Sequence, residues 1–130
     1  MNDQTIEQEI QDKGLTAPRI TPADIEANIT SEHYFTAADG VAGAFTNAEI
    51  AQGRGVYPDE IGCLKTPLTL LTFCVLILRN GFTVTGESAC ASPENFNAEL
   101  GRKIARQNAV AKIWPLLGFA LKERLHAEGG

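Results

Sequence analysis

Between positions 79 and 106 the chain carries side chains with the chemistry to grip a small polar ligand. Phe82 follows an Asn80-Gly81 pair. Thr85, Ser88 and Ser92 bring hydroxyls, Cys90 a thiol, and Asn95 and Phe96 stand at a corner behind Pro93. Arg102 and Arg106 come next, four residues apart. An aromatic ring beside a tight turn can stack on a base. Two guanidiniums on one helical face can hold a phosphate with forked hydrogen bonds, and the first turns of a helix already favour anions. Each feature also has a plain structural account. Phe82 reads equally as a core aromatic. Arg102 and Arg106 read as a solvated basic face against an acidic surface, and spacing alone favours that account for the arginines.

Catalysis is less well supplied. Cys90 falls after a strand and near a helix start, where the dipole can lower a thiol pKa. A cysteine nucleophile also needs a base, and His33 and His126 have no local motif around them. Glu87 and Glu94 flank Cys90 as a conceivable acid–base pair, but isolated carboxylates on a strand end and a turn are common. No P-loop, GxGxxG or nucleophile elbow is present. Neither histidine neighbours a second metal ligand. The reading is therefore no catalytic residue, no metal and no cofactor.

The composition narrows the partners. A chain of 130 residues and 14.0 kDa makes one domain, and 44% hydrophobic residues supply a modest core. The net charge of −5 argues against a nucleic-acid polymer as partner, because such a protein needs a basic face to displace counterions. Three cysteines, Cys63, Cys74 and Cys90, form no CxxC pair. That odd count points to reduced thiols and a cytoplasmic setting. The most apolar run, residues 67–78, is too short for a membrane span, which takes about 20 residues, so no membrane partner is expected.

The elements that must position these side chains follow from local patterns. Residues 1–19 are polar, interrupted by Gly14 and Pro18, and read as a flexible tail. Residues 20–126 read as a single domain and 127–130 as a second tail. Thr21-Pro22-Ala23-Asp24 is a helix start, and Ile25 and Ile29 share one face of a short helix ending near Ser31. Residues 33–36 are a short β piece. Residues 37–66, rich in Gly and Ala, read as a long loop with one weak helical turn at 47–52. Residues 68–79 are the strongest strand, too uninterrupted for a half-exposed edge. Asn80-Gly81 predicts a type I′ hairpin. The return strand points Phe82, Val84 and Gly86 one way and Thr83, Thr85 and Glu87 the other. After the Pro93 corner, Asn95 or Asn97 caps a long helix over 98–125. Its apolar stripe is Leu100, Ile104, Val110/Ala111, Ile113/Trp114, Leu117 and Leu121, and Pro115 should kink or split it. The fold class is α+β: a small antiparallel sheet with an Asn-Gly hairpin, packed on a long C-terminal helix, plus a short N-terminal helix. Three short strands cannot cover that stripe, which predicts a homo-oligomer, at least a dimer, with the helix in the interface.

One pattern is more specific than any of these. Asn80-Gly81-Phe82, the hydroxyl-rich strand end at 83–88, the Cys90-to-Phe96 corner, Gly101 with Ile104, Ile113-Trp114 and Gly118 resemble the phage gene product 49/gene 66 family. Residues 32–41 resemble its longer enterobacterial members. Two departures stand out: the Gly-rich segment 37–66 is longer than in short members, and Pro115 replaces an acidic residue common after the Ile-Trp pair. The resemblance implies a Thoeris anti-defence sponge, which binds a cyclic ADP-ribose-type immune signal without cleaving it; some members resemble hexameric sponges that also hold cyclic oligonucleotides of the CBASS system, which implies a hexamer as the alternative to a dimer. It implies action in the cytoplasm of an infected or lysogenic bacterial host. On this reading the ligand spans the hairpin tip and the corner, touching Phe82, Thr85, Ser88, Ser92, Asn95 and Phe96, with Arg102 and Arg106 on its phosphates. A host-protein inhibitor and a small nucleotide-modifying enzyme are the alternatives.

Overall fold

The computed structural model describes residues 2–53 and 67–129. Helix α1 spans Asp3–Asp12, α2 Pro22–Asn28 and α3 Ala37–Ala51, while α4 runs over Ala98–Ala127. Strands β1 (Ile29–Thr36), β2 (Leu71–Leu78) and β3 (Thr83–Ala89) form one antiparallel sheet in the order β1-β2-β3. The fold is α+β, as the sequence predicts. The 68–79 run divides into a 3-10 turn at Leu68–Leu70 and the central strand β2.

The register explains the core. Tyr34 lies opposite Cys74, which lies opposite Gly86. Cys74, Leu76, Leu78, Val84 and Gly86 therefore share the face under α4, and all are buried. From α4 that face receives Gly101, Ala105, Ala109 and Ile113, and from α2 it receives Ile25. The buried stripe departs from the predicted one in its first half, where Leu100 is 54% exposed and Ile104 39%, while Ile113 is buried and Val110, Trp114 and Leu117 pack on the core as predicted. Gly86 decides this. A Cβ there would overlap the Ala105 carbonyl oxygen and the Ala109 amide nitrogen. Beside Gly86 the helix lies too close to the sheet for large side chains, so Gly101, Ala105 and Ala109 fill that part of the contact line, Leu100 and Ile104 turn outward, and only further along does Ile113 fit beneath the helix.

Three further expectations change. In place of a tail, residues 3–12 form α1, capped by Asn2 and tied to the body by Glu7–Arg19 and Asp3–Trp114 contacts. In place of a loop, residues 37–51 form α3. Thr36 and Asp39 make a reciprocal capping box there, and a helix-favouring run of alanines outweighs Gly40 and Gly43. The remainder of that expected loop, 54–66, lies outside the described residues. Of the kink or split expected at Pro115, the split does not occur: helix α4 is continuous over Ala98–Ala127. Both Pro115 and Ala111 are solvent-exposed, so the carbonyl left without a helical donor can reach water, while Ile113 and Leu117 hold the same turns to the core.

Candidate functional site

The hairpin tip is built by a three-residue loop. Leu78 N–H donates to the Phe82 carbonyl at 2.8 Å and Gly81 N–H to the Leu78 carbonyl at 2.9 Å. Gly81 has φ +90°, and no non-glycine among the described residues has positive φ. A type I′ turn needs positive φ at Asn80 as well, so the prediction is corrected to a tight turn closed by a glycine bulge. Asn80 instead accepts the Phe82 N–H on its side chain at 2.9 Å. The ring of Phe82, 56% exposed, stands at the rim of a cavity of about 570 Å³. Leu78, Leu116, Leu117 and Ala120 make its apolar wall, and Asn28, Arg79 and Asn80 its polar edge. Arg79 is anchored by its backbone N–H to the Asn28 carbonyl at 2.9 Å. Among the described residues its guanidinium makes one long bond, 3.4 Å to the Ala27 carbonyl. It is thus placed to meet an anion at the cavity mouth. Nothing in the spacing of the arginines singled out Arg79; its place directly before Asn80-Gly81 was the available signal.

The corner is a separate place. Ser88, Asn95 and Phe96 do come together there, around a cavity of about 130 Å³ that Thr72, Cys90 and Gly101 also line. That is below the roughly 300–1,000 Å³ of ordinary ligand pockets. Ser92 is half-buried, and its carbonyl accepts the Cys90 thiol proton at 3.2 Å. Phe82, just before β3, and Ser88, near its far end, lie about 20 Å apart at the rise of an extended strand. One ligand in one protomer cannot touch both, which corrects the single site drawn from tip to corner. Thr85 alternates with buried Val84 and Gly86 and faces away from α4, and Arg102 is exposed near the start of α4.

Arg106 is committed elsewhere. Its Nε donates to Glu32 Oε1 at 2.5 Å, and Nη1 and Nη2 donate to Glu26 at 3.1 and 2.7 Å. Glu32 also accepts the Tyr34 hydroxyl at 2.8 Å. The Arg106 bond holds the Glu32 carboxyl below its ordinary pKa, while burial first and Glu32 second push the Tyr34 phenol upward. Glu26 first and Glu32 second raise Arg106 itself, against the opposing effect of burial. A guanidinium spent on two carboxylates that tie α2 and β1 to α4 is a structural clamp, not a free phosphate ligand.

Among the described residues no group of three His, Cys, Asp or Glu side chains could hold a metal ion, and no helix is long and apolar enough to cross a membrane. The profile of the Phage protein (N4 Gp49/phage Sf6 gene 66) family matches residues 20–125. The chain belongs to this family. No curated protein and no solved structure matches it. The family match covers α2, the whole sheet and nearly all of α4, including the hairpin-tip cavity, and leaves α1 outside.

Proposed function

We propose that this phage-family protein is a sponge: it binds a cyclic ADP-ribose-type signal, or a cyclic oligonucleotide, and sequesters it without cleaving it. The observation that carries the reading is the hairpin-tip cavity. Its volume of about 570 Å³ suits a nucleotide-sized ligand. Phe82 offers a stacking face, Arg79 a cation for phosphate, and Asn28 and Asn80 amides for a sugar or base edge. The choice of signal rests on the sequence resemblance of Asn80-Gly81-Phe82 and its neighbours to Thoeris anti-defence sponges. Leu116 and Phe119, 39% and 69% exposed, lie on the same stretch of α4. In a homo-oligomer formed through that face, a second copy closes the cavity mouth.

Thermal-shift titration with cyclic ADP-ribose isomers and cyclic dinucleotides tests this. A ligand bound only to the native state at 100 times its Kd adds about 2.7 kcal/mol of stability. Heat-denaturing the complex then separates the classes. A sponge returns intact ligand, a nucleotide-modifying enzyme returns product, and an inhibitor of a host protein shows no ligand shift.

A further inference from the structure

Helix α1 is lightly held, and what holds it is specific. None of its residues is fully buried. Ile6 remains 42% exposed and Ile10 is half-buried. A gap of about 250 Å³ separates its inner side from Ile20, Pro22 and Trp114. A second, of about 560 Å³, opens between its first turn and Glu26, Lys103 and Arg106. A ten-residue helix is marginal in water by itself, so contacts to the body keep it formed. Two are polar and directed. Trp114 Nε1 donates to Asp3 Oδ2 at 3.1 Å. Arg19 donates both terminal nitrogens to the Glu7 carboxylate, at 2.5 and 2.9 Å. That fork, with help from Gln11, holds the Glu7 pKa down to about 2. The connector from α1 to α2 bends at Gly14, with φ +66°.

From the body's side, the covered groove has a readable chemistry. Its floor is apolar, made by Ile20, Pro22 and Trp114. One indole N–H and one guanidinium point at carboxylates, while Lys103, paired with Glu99, and Arg106, paired with Glu26, lie beyond, by the first turn of α1. Helix α1 answers with Ile6 and Ile10 four apart and Asp3 and Glu7 four apart, so both pairs lie on one helical flank. The groove floor belongs to the segment shared with the family, while its cover, residues 3–12, falls outside the 20–125 match.

We propose that this groove is a docking site for an acidic amphipathic helix of a partner protein, and that α1 is its releasable built-in occupant. Charge complementarity names the occupant: an apolar groove edged by the Trp114 indole N–H and the Arg19 guanidinium selects a helix with two carboxylates beside two aliphatic residues. Release of α1 leaves the sheet–α4 core untouched, because that core contains no α1 residue.

The test uses the full chain and a fluorescein-labelled peptide carrying residues 2–13. In the wild-type chain, native-state hydrogen exchange should find the α1 amides opening at least about 100-fold more readily than those of α4 around Ala105–Ile113. The D3N/E7Q chain should bind the peptide about tenfold or more tightly than wild type does. Acrylamide should quench Trp114, the single tryptophan, more strongly in that variant. A peptide with the same two changes should bind at least about tenfold more weakly. Equal protection of α1 and α4, or loss of folding in D3N/E7Q, would mean that α1 is integral and would overturn the proposal. So would a peptide that binds neither chain. A D3N/E7Q chain that instead runs as a dimer would assign the groove to a second copy rather than to a partner.

Discussion

Gly86 of β3 faces Ala105 of α4 with no room for a single added carbon: a Cβ on Gly86 would overlap the Ala105 carbonyl oxygen and come within 2.9 Å of Ala109 Cα. The obstacles are helix backbone atoms, which cannot swing aside as a side chain can. Gly86→Ala should therefore cost about 3 kcal/mol or more, at or above the upper end of overpacking penalties. Gly101→Ala is the internal control, since its Cβ would meet only the Thr72 side chain, Oγ1 at 3.1 Å and Cβ at 3.7 Å. It should cost less than about 1 kcal/mol, because a small side chain can give way. Urea denaturation of both variants checks the difference. Equal losses would mean that α4 does not sit this close to β3.

Phe82 should separate binding from stability. With 56% of its surface exposed, Phe82→Ala should change folding stability by less than about 1 kcal/mol, as surface substitutions do. If the hairpin-tip cavity holds a nucleotide, the same change should lose roughly 1–3 kcal/mol of affinity, the worth of one stacked base. Arg79→Ala should weaken binding more at low salt than at high salt. Calorimetric titration alongside thermal melts reads all three. A strongly destabilised Phe82→Ala with unchanged affinity would move the site away from the tip.

Arg106→Ala should act on folding rather than on ligand affinity. It leaves Glu26 and Glu32 without their shared cation, at a cost of about 1 kcal/mol for a pair partly open to solvent. The pH dependence has a definite sign. The Glu32 pKa is depressed in the fold, so its contribution is full above the ordinary carboxylate range. It is lost as pH falls through the depressed value. Arg106→Ala should remove that acid-limb slope, which melts across pH 2–6 on the two chains would show. Loss of nucleotide affinity with unaltered stability would instead return Arg106 to the ligand.

The tether of α1 should respond to acid in the same sense. Glu7 drops from an ordinary 4.5 to about 2 beside Arg19. Its hold on α1 is complete above pH 4.5 and is lost as pH falls through about 2. Trp114 fluorescence should change in that window, and Glu7→Gln should abolish the change. An identical titration in Glu7→Gln would exclude this pair as the tether.

Cys90 should act in packing rather than as a nucleophile. It donates to the Ser92 carbonyl, a bond that requires the protonated form. Cys90→Ser should leave stability nearly unchanged, and iodoacetamide should label Cys90 slowly at neutral pH. Fast selective labelling with loss of function would make it a nucleophile. Cys74, fully buried and with its pKa raised mainly by desolvation, should resist labelling until the chain unfolds.

The sequence by itself determined the α+β class, the hairpin at Asn80-Gly81, the capped start of α2 at Thr21 and the long helix after Asn97. Each rests on local chemistry: a glycine where φ must be positive, a hydroxyl or amide facing free N–H groups, an apolar run too dense for an edge. The family was legible too, because its markers lie in one stretch of chain. Tertiary structure alone decided the rest. The first half of the buried stripe of α4 is glycine and alanine, residues that a search for large apolar side chains passes over, and the closeness set by Gly86 selects them before Ile113 completes the stripe. Arg106 looked like half of a phosphate fork until folding brought Glu32, 74 residues away, and Glu26, 80 away, onto its guanidinium. Phe82 and Ser88 looked adjacent because six positions separate them, but an extended strand turns six positions into about 20 Å. Spacing in the chain tells which side chains share a face. Which of them share a site depends on what packs against that face, and long-range contacts decide that.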